Sequence, residues 1–99
     1  MKVRLSRTAR DEIASIALAY RKDSHAAAQG LLARGDSAVE QLKLVPKSGA
    51  PRDNLAKGLR VIALRPFVHL LFYTTRNDEV TVTRVLDGRR DLKTMIHDD

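Results

Sequence analysis

The hydrophobic pattern of this 99-residue chain changes its period at Pro46. Before Pro46, apolar residues recur every three or four positions, which is typical of helices that bury one face. After it, residues 59–64, 68–73 and 79–86 form short apolar or alternating runs, which are typical of strands. The helices therefore precede most of the strands, and this order favours an α+β domain.

The helical part is predicted to be a hairpin that follows a short strand at residues 2–6. Ser6 or Thr8 can cap the first helix, and Ser24 can cap the second. We expect the second helix to continue through Gly35, although glycine costs a helix about 1 kcal/mol relative to alanine. The predicted inward stripes are Ala9, Ile13, Ile16, Ala17 and Tyr20 on the first helix, and Leu31, Ala38, Leu42 and Val45 on the second.

The second half is predicted to form three strands after a turn-rich basic loop at residues 46–58. The run 68–73 is apolar on both faces except at His69, which favours a central strand. Residues 76–79 supply a hairpin turn, and residues 89–96 a short helical turn.

The expected order is β-α-α-β-β-β, with the helical hairpin packed on one face of a small, mainly antiparallel sheet. We expect one domain over residues 1–99.

The composition restricts the class of partner. Lys and Arg number 18 against 12 Asp and Glu, a net charge of +6, which favours nucleic acid, an acidic protein segment or a nucleic-acid-bound enzyme. The chain has no Cys, which excludes disulfides and fits a reducing compartment. No run approaches the roughly 18–20 apolar residues that span a membrane, and the N-terminus does not resemble a secretory signal. We expect a cytoplasmic protein without membrane contact.

Arg84 is the residue that fits its surroundings least. In a regular strand it shares a face with apolar Val80, Val82 and Leu86. A charged residue there must be paired, extended to solvent or exposed in a groove. The candidate partners for a salt bridge are Asp11, Glu12 and Asp91.

Arg60 shares a face with Ile62 and Leu64 in the same way. If Arg60 and Arg84 lay on adjacent strands, their guanidinium groups could clamp a phosphate or carboxylate.

The last strand runs into Gly88-Arg89-Arg90-Asp91. We expect a positive φ at Gly88, and Asp91 either paired with an arginine or capping residues 92–96. The spacing of His25, His69 and His97 matches no metal motif, and no nucleotide-binding fingerprint is present, so neither metal nor cofactor is expected. His97 could act as an acid or base beside an RNA phosphate.

Several short segments together resemble the ParE/RelE toxin superfamily. They are Leu5–Ile13 opening into a helical hairpin, Pro46-x-x-Gly49 closing it, Gly58–Arg60 entering a strand, Leu71–Tyr73 on the next strand, and Arg84–Leu92 at the end. The resemblance spans nearly the whole chain. The two long helices and the Gly-Arg-Arg-Asp ending are closer to the ParE branch.

This resemblance implies a toxin of a type II toxin–antitoxin system, with roles in growth inhibition, plasmid maintenance and the stress response. A ParE toxin poisons DNA gyrase and blocks replication, and a ParD-like antitoxin neutralises it in a hetero-oligomer through which DNA can be bound. RelE members instead cut mRNA on the ribosome. A relative that has lost toxicity and acts only as an interaction module is a third alternative.

By position, the resemblance assigns Arg60, Arg84, Arg89 and Arg90 to target binding. A ribonuclease would use Arg60, Arg84 and His97 as catalytic residues. The apolar helix residues expected to contact the antitoxin are Ile13, Ala17, Tyr20, Leu31 and Leu42.

The chain departs from the superfamily pattern at two places. Asp87 stands where many relatives carry His, and Thr74-Thr75 where Arg is common. Both departures reduce the basic and acid–base capacity, so they favour a protein-directed poison over an RNA-cutting enzyme.

Overall fold

Two serine side chains cap the helices of the hairpin at their N-termini. The structure, a computed structural model, describes residues 1–96. The Ser6 hydroxyl caps helix α1 (Arg7–Asp23) by accepting from the Ala9 N–H at 3.0 Å. The Ser24 N–H closes α1 on the Tyr20 carbonyl, and its hydroxyl accepts from the Ala27 N–H at the start of α2 (His25–Leu44). Ser24 therefore ends one helix and begins the next, which leaves room for only a tight turn.

Helix α2 runs without a break through Gly35, as expected. A Cβ atom at Gly35 would meet nothing within 4 Å, so close packing does not require this glycine. The stripe prediction fails at Val45, which follows the last helical residue and is 54% exposed.

The sheet has five strands in the order β1-β5-β4-β3-β2. They are β1 (Lys2–Leu5), β2 (Ala50–Pro51), β3 (Arg60–Ala63), β4 (His69–Arg76) and β5 (Glu79–Asp87), followed by a short helix α3 (Leu92–Met95). β1 pairs parallel to β5, and the other pairs are antiparallel. β4 is the central strand, as its apolar run predicted. The two-residue strand β2 lies within the stretch that was predicted to be a loop.

Apolar clusters lie on both faces of the sheet. The hairpin covers one face, where Leu31 and Leu42 pack against Leu71, Tyr73 and Val82. The opposite face carries a smaller cluster, covered by the segment before β3 and by the C-terminal segment. Its buried members are Leu55, Leu59, Phe72, Leu86 and Ile96. The sequence predicted the first layer and missed the second.

Gly88 does not have the positive φ that was expected; among the described glycines only Gly58 has one. The reason for a glycine at position 88 is space. A Cβ atom there would lie 3.0 Å from the Val68 carbonyl oxygen and 3.1 Å from the Leu70 side chain. At the end of β5 the backbone of Gly88 therefore packs closely against Val68 and Leu70 at the start of β4.

No helix within the described part of the chain is both long and apolar enough to cross a membrane.

Candidate functional site

A β-bulge in β5 decides where Arg84 lies. The register pairs Tyr73 with Val82 but Phe72 with Arg84, so β5 has one extra residue, Thr83, at this point. Beyond the bulge, Val85 continues the row of residues that faces the hairpin, while Arg84 lies opposite Phe72 of the smaller cluster. The prediction that Arg84 shares a face with Val80 and Val82 is therefore wrong, because it assumed a regular strand.

Arg84 is paired with Glu12, one of the three partners that the sequence allowed. Its Nη2 lies 2.9 Å from Glu12 Oε2, and its Nε lies 3.1 and 3.2 Å from the two carboxylate oxygens. The Arg84 and Glu12 side chains are 28% and 19% exposed. Arg84 Nη1 also donates to the Met95 carbonyl at 2.7 Å. One guanidinium thus joins α1, β5 and the C-terminal segment.

Glu12 also closes the edge of β5. The parallel partner β1 ends at Leu5, and the Ser6 N–H makes the next bond to the Val82 carbonyl. The Val85 N–H then donates to Glu12 Oε1 at 2.9 Å. A helix carboxylate replaces the missing strand, so this edge amide has a partner. The sequence did not indicate this role.

Arg60 is held by the loop that follows α2. Its Nη1 donates to the Gly49 carbonyl at 2.7 Å and to the Lys47 carbonyl at 3.1 Å. Since β4 separates β3 from β5, Arg60 and Arg84 do not lie on adjacent strands.

The two arginines also lie on opposite faces of the sheet. Arg60 is opposite Tyr73 and Arg84 is opposite Phe72, which are consecutive residues of β4. The predicted clamp does not form.

The turn after β5 carries the remaining predicted target-binding residues. Arg89 and Arg90 are exposed. Arg89 Nη2 lies 2.8 Å from Asp87 Oδ2, and this guanidinium holds the pKa of the Asp87 carboxyl well below its usual range. Asp91 precedes α3 and accepts from the Thr94 hydroxyl at 2.7 Å. His97, the proposed acid or base, lies outside the described residues.

His69 is a buried imidazole opposite Asp87 in the β4–β5 register. It is 8% exposed, and its ring packs edge-on against Tyr20 with centroids 5.9 Å apart. Among the described residues, no group hydrogen-bonds its Nδ1. Burial lowers the pKa of His69, an effect that Asp87 opposes. The ring is therefore biased toward its neutral form. No three acidic or histidine side chains within residues 1–96 are grouped as metal ligands.

The helix residues predicted to contact an antitoxin belong to the chain's own core. Leu31 and Leu42 are 3% and 0% exposed, so a partner could reach them only if α2 left the sheet. Three others, Ile13, Ala17 and Tyr20, are partly buried against the same core.

Two exposed apolar residues of the hairpin line a groove between its helices. They are Leu18, which is 58% exposed, and Leu32, which is 38% exposed. Ala17 is the one predicted contact residue that also lines this groove. Sequence reasoning missed Leu18 and Leu32 because they lie off the inward stripes.

The chain is a small basic α+β protein in which a helical hairpin covers one face of a mainly antiparallel sheet. Arg60 and Arg84 are bonded within the chain and do not form a cluster. The sequence profile described as "ParE toxin of type II toxin-antitoxin system, parDE" matches residues 3–92. The chain belongs to this ParE toxin family.

One relative in sequence and one solved structure are similar to this chain. Toxin ParE3 of Caulobacter vibrioides is 34% identical over 65 residues, which cover 66% of this chain and 63% of that protein. The chain thus matches slightly less than two thirds of that relative's length. A solved structure titled "Chromosomal ParDE TA system from P. aeruginosa" has the same fold, with a TM-score of 0.67 at 20% identity, and covers 86% of this chain and 92% of that one.

Proposed function

We propose that this ParE-family protein poisons DNA gyrase, blocks replication and is neutralised by a cognate ParD-like antitoxin. The choice of target rests on where the two strand arginines lie and what they bond. Arg60 and Arg84 lie on opposite faces of the sheet, and each is bonded internally. A ribonuclease of the RelE type needs its basic residues together on one face, so this arrangement favours the gyrase-directed alternative.

Two of the four arginines predicted to bind the target, Arg89 and Arg90, are exposed on the turn after β5. Arg89 is paired with Asp87, but its side chain remains 73% exposed. Gyrase with its bound DNA presents an anionic surface, and a chain with a net charge of +6 would be attracted to it. This turn is the proposed target-binding segment.

The antitoxin is proposed to cover the outer groove of the hairpin rather than the buried stripe. The groove is lined by small and apolar side chains, including Ala14, Leu18 and Leu32, with Arg21 also on its lining. An amphipathic segment with an apolar face and acidic flanks would complement both features. Leu18→Asp should therefore weaken antitoxin binding without unfolding the chain, because Leu18 is mostly exposed.

The test of the target is a gyrase cleavage assay. Purified chain is incubated with gyrase, ATP and supercoiled plasmid, and trapped complexes are denatured before electrophoresis. We expect linear DNA to accumulate, and the Arg89→Ala/Arg90→Ala double variant to need a higher toxin concentration. Arg7→Ala/Arg10→Ala, which removes two exposed arginines at the start of α1, is the matched control for lost charge.

Two results would contradict the proposal. One is the absence of linear DNA at micromolar toxin with a folded protein. The other is in-frame mRNA cleavage on translating ribosomes, which would identify the ribosome as the target.

A further inference from the structure

A pocket of about 640 Å³ opens at the end of the sheet where β3 meets β4, beside the turn that follows β5. Its size is within the range of sites that hold a ligand or a large side chain. Its apolar lining consists of Ala63, Pro66, Phe67, Val68 and Leu70, and the remaining lining residues are Arg65, Gly88 and Arg89. Within the described part of the chain, no Asp or Glu lines it.

The pocket presents apolar surface to solvent. Val68 is 37% exposed and forms part of the wall. Gly88 carries no side chain that could cover Leu70, and a Cβ atom there would lie 3.1 Å from the Leu70 Cδ1 atom. A single exposed valine is ordinary, but here the exposed valine belongs to a concave apolar site. An apolar side chain from a partner would therefore find both space and contact.

The charge at the pocket is positive. Arg65 is exposed and makes no ion pair with any of residues 1–96. Arg89 is paired with Asp87, so these two groups nearly cancel, and Arg65 remains as the charge to be matched. A guanidinium binds a carboxylate through strong charge-assisted bonds. Charge complementarity thus selects an occupant that carries a carboxylate next to its apolar side chain.

A nucleic acid matches this pocket less well than a protein does. DNA binding draws on several cations along the phosphate backbone, and unpaired bases stack on exposed aromatic faces. Among the lining residues that the structure describes, Arg65 alone is a cation without an ion pair. Phe67 is partly buried, and its ring packs edge-on against Tyr20 with centroids 5.4 Å apart. The pocket therefore favours a protein segment.

We infer that this pocket receives an apolar side chain that stands next to an Asp or Glu on the protein surface of gyrase, and that the carboxylate bonds to Arg65. This contact presupposes the proposed gyrase target, and it places the toxin on the enzyme rather than on the bound DNA. Arg89 belongs both to the proposed target-binding turn and to the pocket lining, so the two surfaces are continuous. Sequence reasoning assigned no role in target binding to Arg65 or Val68.

The test is binding of the full-length chain to immobilised gyrase, measured with and without DNA. We expect the wild-type chain to bind without DNA. Val68→Asp should weaken binding at least about tenfold, because it places a charge in the apolar contact. Arg65→Glu should also weaken it about tenfold, since like charges then face each other, whereas Arg65→Lys should stay within about threefold of wild type. The same variants should need correspondingly more toxin in the gyrase cleavage assay.

Two control variants make the same chemical changes away from the pocket. Leu44→Asp alters a side chain that is 83% exposed and does not line the pocket. Arg10→Glu reverses the charge of an exposed arginine on α1. Both should bind gyrase as the wild-type chain does. A wild-type amide spectrum and urea midpoint show that each variant is folded.

The outcomes separate the pocket contact from the proposed target. If the wild-type chain traps linear DNA but Val68→Asp and Arg65→Glu behave like their controls, the pocket contact is wrong and the gyrase target stands. Binding that requires DNA and is unaffected by both variants would also overturn the pocket contact, because it would assign the contact to nucleic acid. A wild-type chain that neither binds gyrase nor traps linear DNA would contradict the pocket contact and the proposed target together.

Discussion

Glu12 bonds both the Arg84 guanidinium, which also donates to the Met95 carbonyl, and the Val85 N–H. From the sequence, Glu12 was one of three acids that could pair with Arg84. The bulge at Thr83 places Arg84 outside the hairpin-facing row, from where it still reaches Glu12 of α1. The alternation Val80-Thr-Val-Thr-Arg-Val fits a regular strand, so the pattern alone could not locate the extra residue.

Replacement of Glu12 should destabilise the chain more than an ordinary surface change. Glu12→Ala leaves a mostly buried guanidinium without its carboxylate and an edge amide unpaired, and should lower the free energy of unfolding by about 2–3 kcal/mol in urea titrations. Glu40→Ala, whose pair with Lys43 is well exposed, should cost no more than about 0.5 kcal/mol. Similar losses in the two variants would show that the Glu12 contacts contribute little.

His69 should make stability depend on pH. Its folded pKa lies below the ordinary 6.5, so below pH 6.5 the unfolded chain binds more protons at this position than the folded chain. The contribution is present above pH 6.5 and is lost as the pH falls toward the folded pKa. The groups facing the ring are Tyr20 of α1, Asp87 of β5 and Arg89 of the turn.

Urea titrations between pH 5 and 7 test this expectation. Relative to wild type, His69→Gln should show a smaller loss of stability on acidification. Asp87→Asn removes the charge that raises the His69 pKa, so it should extend the loss to lower pH. An identical pH slope in wild type and His69→Gln would contradict the assignment.

The helix starts and the central strand were predicted correctly, because residues within each element determine them. Ser6 and Ser24 cap the helices, and the apolar run of β4 marks the central strand. β2 could not be predicted, because Ala50 and Pro51 form a strand only through their pairing with Val61 and Arg60. The predicted clamp of Arg60 and Arg84 was wrong for a similar reason. The sequence of a single strand does not show which strands lie beside it, and β4 lies between β3 and β5.

The β4–β5 turn holds two non-glycine residues at positive φ, Asn77 at 50° and Asp78 at 60°. Both values belong to a two-residue hairpin turn of type I′, in which glycine is favoured at the second position. Asp78→Gly should raise the free energy of unfolding by about 0.5 kcal/mol, the strain relieved less the entropy of glycine in the unfolded chain.

The same substitution elsewhere is the control. Asp36→Gly in the exposed face of α2 should lower stability by about 0.3–0.5 kcal/mol, because glycine is a poorer helix former. Opposite signs in thermal or urea melts are expected. A loss in Asp78→Gly would mean that the aspartate makes a stabilising contact in the turn.

For the whole molecule, the sheet is covered on both faces. The smaller cluster depends on Ile96, which is 8% exposed and packs with Phe72 and Leu86. Ile96→Ala should cost about 2–3 kcal/mol with an unchanged denaturant slope, if the two clusters unfold together.

Leu44→Ala is a matched control, because Leu44 is 83% exposed and should lose little. A separate early transition in Ile96→Ala, with the main transition unmoved, would show instead that the C-terminal cover unfolds independently.

The parallel pairing of β1 with β5 has a consequence for biosynthesis. Lys2 pairs with Glu79 and Leu5 with Val82, so β1 is synthesised first but can pair only after β5 has been synthesised. Ribosomes add roughly 5–20 residues per second, and the hairpin is therefore complete on the order of seconds before this sheet edge exists. Glu12 likewise has no Arg84 until then. A nascent chain that stops before β5 therefore lacks both the pairing partner of β1 and the arginine that Glu12 binds.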